Sequence, residues 1–356
     1  MAGPHLLELL PEELPLALAG HGIELTLGEA RRLSAALFLP PGAPASKQPL
    51  AKRKLAAIFD AARSQRLEVV ERATDPSDGF VKYLLRSPDG ALSEAVRIPL
   101  EKPGRFSVCL SSQVGCAMQC VFCATGRLGF TRHLEAWEMV SAFLTVRDEA
   151  PGRISGAVFQ GQGEPLHNYE RVIQAARMLT HPCCGRISGK AITISTVGMV
   201  REIRRYAREG HPYRLIISLT SANAARRSRL LPVAGRVPLE ELAEAVREYA
   251  KGVSGRVTLA WVLIGGENSG EDEVRELERL FAGIRLRINL IDVNDARPDG
   301  FVRASDVERK SFMNLLQILK APIVRRYSGG SSRHAACGML AAHCENSPER
   351  APFTPC

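Results

Sequence analysis

From about residue 105 onward the chain alternates short β-branched or apolar runs with amphipathic stretches of helical length, and few architectures accept that alternation. The runs fall at 106–110, 157–160, 191–195, 215–219, 257–263, 286–292 and 322–326. In the intervening stretch that opens at Pro238, the residues Leu239, Leu242, Ala243, Val246, Tyr249 and Ala250 recur at helical spacing, with Glu and Arg on the other face. Pro238 suits a first helical turn and Gly252 a C-terminal stop. Strands separated by helices pair in parallel through crossovers, so the expected fold class is α/β, a partial (βα)6-type barrel over 105–328. Chemistry in such folds gathers in the loops that follow strand C-termini, which predicts where motif residues should fall.

Residues 1–104 read differently. Apolar helical segments come first, then a Pro-rich stretch at Leu39–Ala45 and a basic helix near Lys52–Arg63. Antiparallel strands are expected around Leu67–Glu71, Phe80–Leu85 and Leu92–Ile98, with Pro-Asp-Gly at 88–90 as a hairpin turn. We read this region as a small N-terminal α+β accessory domain, and 329–356 as a C-terminal extension.

Composition excludes several classes. With 356 residues, 45% hydrophobic and 24% charged, the chain can bury one large core plus a smaller module. No apolar run approaches the ~20 residues that span a bilayer. The N-terminus lacks the basic stretch, apolar block and cleavage site of a secretory signal. The expectation is therefore a cytoplasmic monomer with no membrane partner. Nine cysteines in such a chain favour metal or thiol chemistry over a disulfide framework. The formal charge of +9 is concentrated in Gly185–Arg236, where 11 Lys/Arg face 2 Asp/Glu. On charge alone this stretch is either a contact face for an anionic polymer such as nucleic acid or a solvated basic surface.

Directly after the first barrel run comes Cys109-Leu-Ser-Ser-Gln-Val-Gly-Cys116-Ala-Met-Gln-Cys120-Val-Phe-Cys123. Cys116, Cys120 and Cys123 form a Cys-x3-Cys-x2-Cys triple. Three thiolates on one loop can ligate three irons of a 4Fe–4S cubane and leave the fourth open to a small molecule, whereas a complete ferredoxin site uses four cysteines. A zinc knuckle is the other reading, but it prefers paired Cys-x2–4-Cys elements with two further ligands, and no second pair with that spacing lies nearby.

The run CLSSQVGCAMQCVFCATGRLGFTRHL, followed in order by GQGEPLHN, TISTVG and AACGML, closely resembles the dual-specificity RNA adenosine methyltransferase family of radical S-adenosylmethionine (SAM) enzymes. These are ribosomal and transfer RNA C-methyltransferases, with a ribosomal antibiotic-resistance branch. The resemblance runs from about Glu94 to Met339. It implies that Cys116, Cys120 and Cys123 hold a 4Fe–4S cluster, and that Gly163, Glu164, Ser195, Ser218, Leu219, Thr220 and Asn294 contact SAM. It also implies that Cys337 is the methyl-accepting thiol. In the family one SAM methylates the matching cysteine, and a second, cleaved at the cluster, generates a radical on that S-methyl group. The carbon adds to C2 or C8 of an adenosine, because those amidine carbons are electrophilic and a polar methyl transfer cannot reach them. Cys109 matches the thiol that releases the product by forming a disulfide with Cys337, and Glu94 the base that removes the ring proton. Cys183, Cys184, Cys344 and Cys356 match no catalytic position. The implied partners are ribosomal or transfer RNA and a low-potential electron donor such as flavodoxin or ferredoxin.

Several positions depart from the family pattern. Thr220 stands where an imidazole commonly follows Ser-Leu, Gln162 replaces a Met, and His133 replaces an Asn. Gly-Gly-Ser-Ser-Arg-His at 329–334 lacks the usual aspartate. The departures leave the modified adenosine open. The arginines 226, 227, 229 and 236 follow the fourth barrel run and are expected to meet RNA phosphates at the mouth. Two other readings remain: a radical SAM enzyme with another substrate, and a non-catalytic, metal-stabilised RNA-binding protein.

Overall fold

A computed structural model of the chain describes residues 3–340 except 45–48, 296, 298–299 and 327–328; Cys344 and Cys356 lie outside the described residues. The N-terminal part comprises helices α1 (Leu14–Ala19), α2 (Leu27–Leu37) and α3 (Lys52–Ala61), then strands β1 (Glu68–Thr74), β2 (Val81–Arg86) and β3 (Leu92–Pro99). Helix α2 starts where the Thr26 hydroxyl accepts from Glu29 N while Glu29 reaches back to Thr26 N, a reciprocal cap. The β2–β3 turn carries Gly90 at φ +84, a conformation that only glycine adopts cheaply.

Next come β4 (Arg105–Leu110), β5 (Gln113–Gly115), α4 (Ala124–Leu128), β6 (Phe130–His133), α5 (Ala136–Asp148), β7 (Arg153–Phe159), α6 (Tyr169–Thr180), β8 (Ile192–Thr196), α7 (Val200–Glu209), β9 (Arg214–Ser218) and α8 (Ala224–Leu230). The chain continues through α9 (Leu239–Lys251), β10 (Val257–Leu263), α10 (Glu271–Leu280), β11 (Leu286–Asp292), α11 (Asp306–Leu315) and β12 (Ile323–Arg326). All seven expected runs form strands. Each adjacent pair in the order β4-β7-β8-β9-β10-β11-β12 is parallel.

The architecture is an open, mixed α/β sheet, not a closed barrel. β3 pairs antiparallel with β4, and β2 and β1 continue outward, giving one 10-stranded sheet. The accessory strands therefore extend the barrel sheet, while α1–α3 close over a core of their own that includes Leu14, Leu18, Leu33 and Ile58. The main core sandwiches strand residues such as Val108, Phe159, Ile194, Ile217, Trp261 and Ile288 against α5, α6 and α9. Each fully buried aliphatic side chain there contributes roughly 1.5–3 kcal/mol. Parallel pairing aligns the strand C-termini along one edge, and the site is built on that edge.

Among the described residues no helix is long and apolar enough to cross a membrane.

Candidate active site

The cysteine loop lies between the two strands of a small antiparallel flap, β5 with β6. Cys116 N donates to Gly129 O at 2.7 Å, Cys123 N to Cys120 O at 3.1 Å, and Val121 N to Leu230 O at 3.1 Å. Gly126 seats α4 beneath the loop, since a Cβ there would lie 2.8 Å from both N and O of Cys120. Gly126→Ala is expected to destabilise the fold by about 1–3 kcal/mol through overpacking and to lower the iron bound per chain. Unchanged melting and iron content would show that the loop absorbs the methyl.

Cys116 and Cys120 are buried and Cys123 is half-buried. Met118, Phe122, Leu230, Leu231, Ile264 and Val293 form an apolar shell around them. Burial, with Cys123 and Glu164 near by, pushes Cys116 up to about 12. Cys120 is pushed well up by burial and by Cys123 and Cys116 beside it. Among the described residues no three His, Cys, Asp or Glu are arranged to hold a single metal ion. The donor chemistry nonetheless fits an iron–sulfur cluster: three soft thiols share one loop and interact electrostatically, and two of them are shielded from water.

The expected SAM contacts lie along the same edge. Glu164 follows β7 and is buried; its Oε1 accepts from Leu166 N at 2.9 Å and its Oε2 from Val197 N at 2.8 Å. Burial outweighs these bonds and raises its carboxyl to about 7, so an arriving ammonium would find a carboxylate poised to ionise beside it. Gly163, at φ +99, touches Gln113, and a Cβ would fall 2.7 Å from the Gln113 Cβ. Ser195 lies in β8, one residue from its C-terminal end, and Ser218 ends β9; Leu219 and Thr220 follow directly. Thr220 is buried at φ +61, and its hydroxyl has no hydrogen-bond partner among the described residues. A β-branched residue in that region costs of order 1–3 kcal/mol. Asn294, just beyond β11, donates to Cys337 O at 3.3 Å, and so joins the sixth strand to the C-terminal segment.

A second group stands at the β3–β4 edge. Val96 of β3 is paired with Cys109 of β4, so Glu94, two residues back, shares the Cys109 face. Cys109, Phe80, Val96, Ala335 and Leu340 pack together. Cys109 Sγ lies 3.6 Å from Gly161 O, and Gln160 Nε2 lies 3.4 Å from Cys337 Sγ, so both thiols reach the same two-residue stretch. Burial, then the Cys337 thiol, pushes Cys109 up to about 12. Glu94 is buried between Lys82 Nζ at 3.3 Å and Gln162 Nε2 at 3.1 Å.

Three of the four departures from the family pattern make hydrogen bonds in the structure. Gln162 supplies a hydrogen bond to Glu94. His133 and His167 both bond Gln113 Nε2, at 3.2 and 3.1 Å, while Gln113 Oε1 accepts from Glu164 N at 2.9 Å. Ser332 Oγ and N donate to Asp75 Oδ2 at 2.6 and 3.1 Å, and Gly330 N donates to Asp78 Oδ2 at 2.8 Å. These bonds clamp the Cys337 segment to the β1–β2 turn. Lys82, Asp75, Gln113 and Gln160 escaped the sequence reading. Gln113 and Gln160 had a local signal, one inside the run that leads to Cys116 and the other beside Gly-Gln-Gly-Glu.

The basic stretch needs correcting. Arg226 is paired with Asp272 and Glu273, Arg229 with Glu267, and Arg227 is buried; of the four only Arg236 is exposed and outside any ion pair among the described residues. Acids of other segments pair with Arg204, Arg205, Arg226 and Arg229, while Arg186, Lys190, Arg208 and Arg214 are exposed with no ion pair among the described residues, so the local excess is cancelled only in part.

The open parallel sheet, the cysteine loop at its C-terminal edge and the carboxylate beside that loop define a radical SAM enzyme, and residues 110–280 match the Radical SAM superfamily. A probable RNA methyltransferase from Myxococcus xanthus is 49% identical over 282 residues, 79% of this chain and 78% of the relative. A probable dual-specificity RNA methyltransferase RlmN from Picosynechococcus sp. is 38% identical over 299 residues, 84% of each chain. The crystal structure of a radical SAM methyltransferase from Sphaerobacter thermophilus superposes with a TM-score of 0.85 at 33% identity, covering 96% of this chain and all 100% of the other. The chain belongs to the radical SAM RNA methyltransferase family.

Proposed function

We propose that this chain methylates C2 or C8 of an adenosine in ribosomal or transfer RNA, with Cys337 carrying the carbon and Cys109 releasing the product. The observation that carries this reading is the convergence of Cys109 and Cys337, distant in sequence, on the Gln160–Gly161 stretch, with Glu94 on the same sheet face. Neither thiol is needed to bind a metal or RNA, and this convergence favours the reading over a non-catalytic one.

Cys116, Cys120 and Cys123 would hold a 4Fe–4S cluster, which when reduced by a flavodoxin- or ferredoxin-like donor would supply the reductive cleavage of SAM. The chain's own residues do the rest. Glu164 receives the SAM ammonium, with Gly163, Ser195, Ser218, Leu219, Thr220 and Asn294 around it. Gln160 and Asn294 orient Cys337. Once the carbon bridges Cys337 and the base, the ring holds one unpaired electron. That electron passes to an acceptor, for which the oxidised flavodoxin- or ferredoxin-like partner would serve, and Glu94, held by Lys82 and Gln162, takes the ring proton. The Cys109 thiolate then attacks Cys337 Sγ and the sulfur–carbon bond breaks. Its electron pair stays on the carbon, which takes a proton and becomes methyl, leaving a disulfide that a thiol reductant must reopen.

The test is nucleoside analysis of ribosomal and transfer RNA from a strain lacking the gene. Loss of a C-methyladenosine, restored by the wild type but not by Cys337→Ala, is expected. Unchanged RNA would move the assignment to another radical SAM substrate.

The Asp75 clamp gives a separate prediction. Asp75→Ala is expected to cut turnover about 10- to 100-fold by letting the Cys337 thiol drift, with bound iron unchanged; unaltered turnover would make the clamp incidental. The Ser332 and Ser77 hydrogen bonds hold the Asp75 carboxyl down at about 2. The clamp's contribution is thus complete above the ordinary aspartate value of ~3.9 and is lost only as pH falls through about 2.

A further inference from the structure

Arg227 lies on α8 and is 1% exposed. Its guanidinium bridges two strand ends: Nη1 donates to Leu219 O, after β9, and Nη2 to Val197 O, after β8, at 2.6 Å. Its Nε has no hydrogen-bond partner, and among the described residues no carboxylate pairs with it. The neighbouring Arg226 and Arg229 both have acidic partners. Burying a cation with no counter-charge is costly, and carbonyl dipoles offset only part of that cost.

Arg227 lies close to the cysteine loop. One turn further on, Leu230 O accepts from Val121 N of the cysteine loop, and Leu230 packs with Cys116 and Cys120 in the same apolar shell. Burial disfavours the charge on Arg227, and Cys120 of the cysteine loop is near enough to favour it once that thiol is ionised.

We propose that Arg227 is the built-in counter-charge of the iron–sulfur site, fixed so as to ease reduction of the cluster that Cys116, Cys120 and Cys123 hold. This rests on the cluster reading above. Three thiolates outweigh the positive charge of the iron–sulfur core, and reduction adds a further electron. A fixed cation across an apolar, water-poor gap favours the reduced form and raises its potential. Arg227 acts through Cys120 and is a positioning residue. If it served only to cap two carbonyls, it would affect stability but not the potential.

The test compares anaerobically purified full-length wild type, Arg227→Lys and Arg227→Gln by iron and sulfide content, thermal melting and redox titration followed by electron paramagnetic resonance. Both variants should melt lower, because both lose carbonyl contacts. The Gln variant should keep its cluster with a more negative midpoint, and the Lys variant should stay near the wild type. Coincident midpoints in Gln and wild type, or the same shift in both variants, would overturn the proposal. So would an unchanged midpoint with weakened SAM binding, which would assign the cation to the SAM carboxylate. If Gln assembles no cluster, Lys decides: a cluster retained by Lys supports the charge role, and loss in both overturns it. Wild type that binds no iron and sulfide would instead overturn the cluster reading itself, and the inference with it.

Discussion

Replacing Cys109 with alanine is expected to stop the enzyme after one event per chain and to leave RNA covalently attached through Cys337. On the proposed route the adduct forms without Cys109, which is needed only to break the Cys337 sulfur–carbon bond. Nuclease trimming and peptide mass analysis would locate the modified nucleotide on the peptide containing Cys337, and sequencing the trapped RNA would identify the substrate. Steady-state turnover should fall to a single equivalent while bound iron stays at the wild-type level. In the wild type the same bond makes a pH prediction. Because Cys109 is pushed up to about 12, its thiolate fraction grows about tenfold per pH unit below that value. Single-turnover release should therefore accelerate as pH rises until another step limits it. Free, fully methylated RNA from Cys109→Ala, with no adduct at any time point, would remove the two-thiol route.

Cys120→Ala should have the largest effect on activity. Cys120 lies at the centre of the apolar shell, within electrostatic reach of both Cys116 and Cys123, so losing its thiol leaves two ligands where the cluster needs three. We expect no stoichiometric iron or sulfide, no reductive SAM cleavage, and methylation reduced by about a million-fold or more, below detection. The large sheet core is formed by other residues, and a cooperative melt within a few degrees of wild type should show that the fold survives. Retained SAM cleavage by this variant would mean that the cluster is not held by this loop.

The elements written most plainly in the sequence are those fixed by local periodicity. The apolar runs from 106 to 326 became parallel strands because branched side chains buried on both sheet faces leave little alternative. Glu164 and Ser218 fell at or just past strand ends for the same reason. What could not be read was set by closure between distant segments. Asp75 and Ser332 look like ordinary turn residues until β1–β2 and the C-terminal segment meet. The arginines at 226, 227 and 229 look alike in sequence. Helix α8 turns one inward and the others toward Glu273 and Glu267, and no window shorter than the fold contains that choice. The flap of β5 and β6 was missed because strands of three and four residues carry almost no alternation.

The segment carrying Cys337 is tied down at both ends. Asp75 and Asp78 hold its start, while Ala124 N donates to Gly338 O at 2.7 Å and Thr125 Oγ1 to Leu340 O at 2.6 Å at its finish. Of the proposed site residues Cys337 is therefore the last to be synthesised, and it is docked onto parts made long before. Protein shortened ahead of Gly329 would keep the cysteine loop and the carboxylate edge but lack the carbon acceptor. On the proposed route such a chain could consume SAM but could not pass the carbon to RNA.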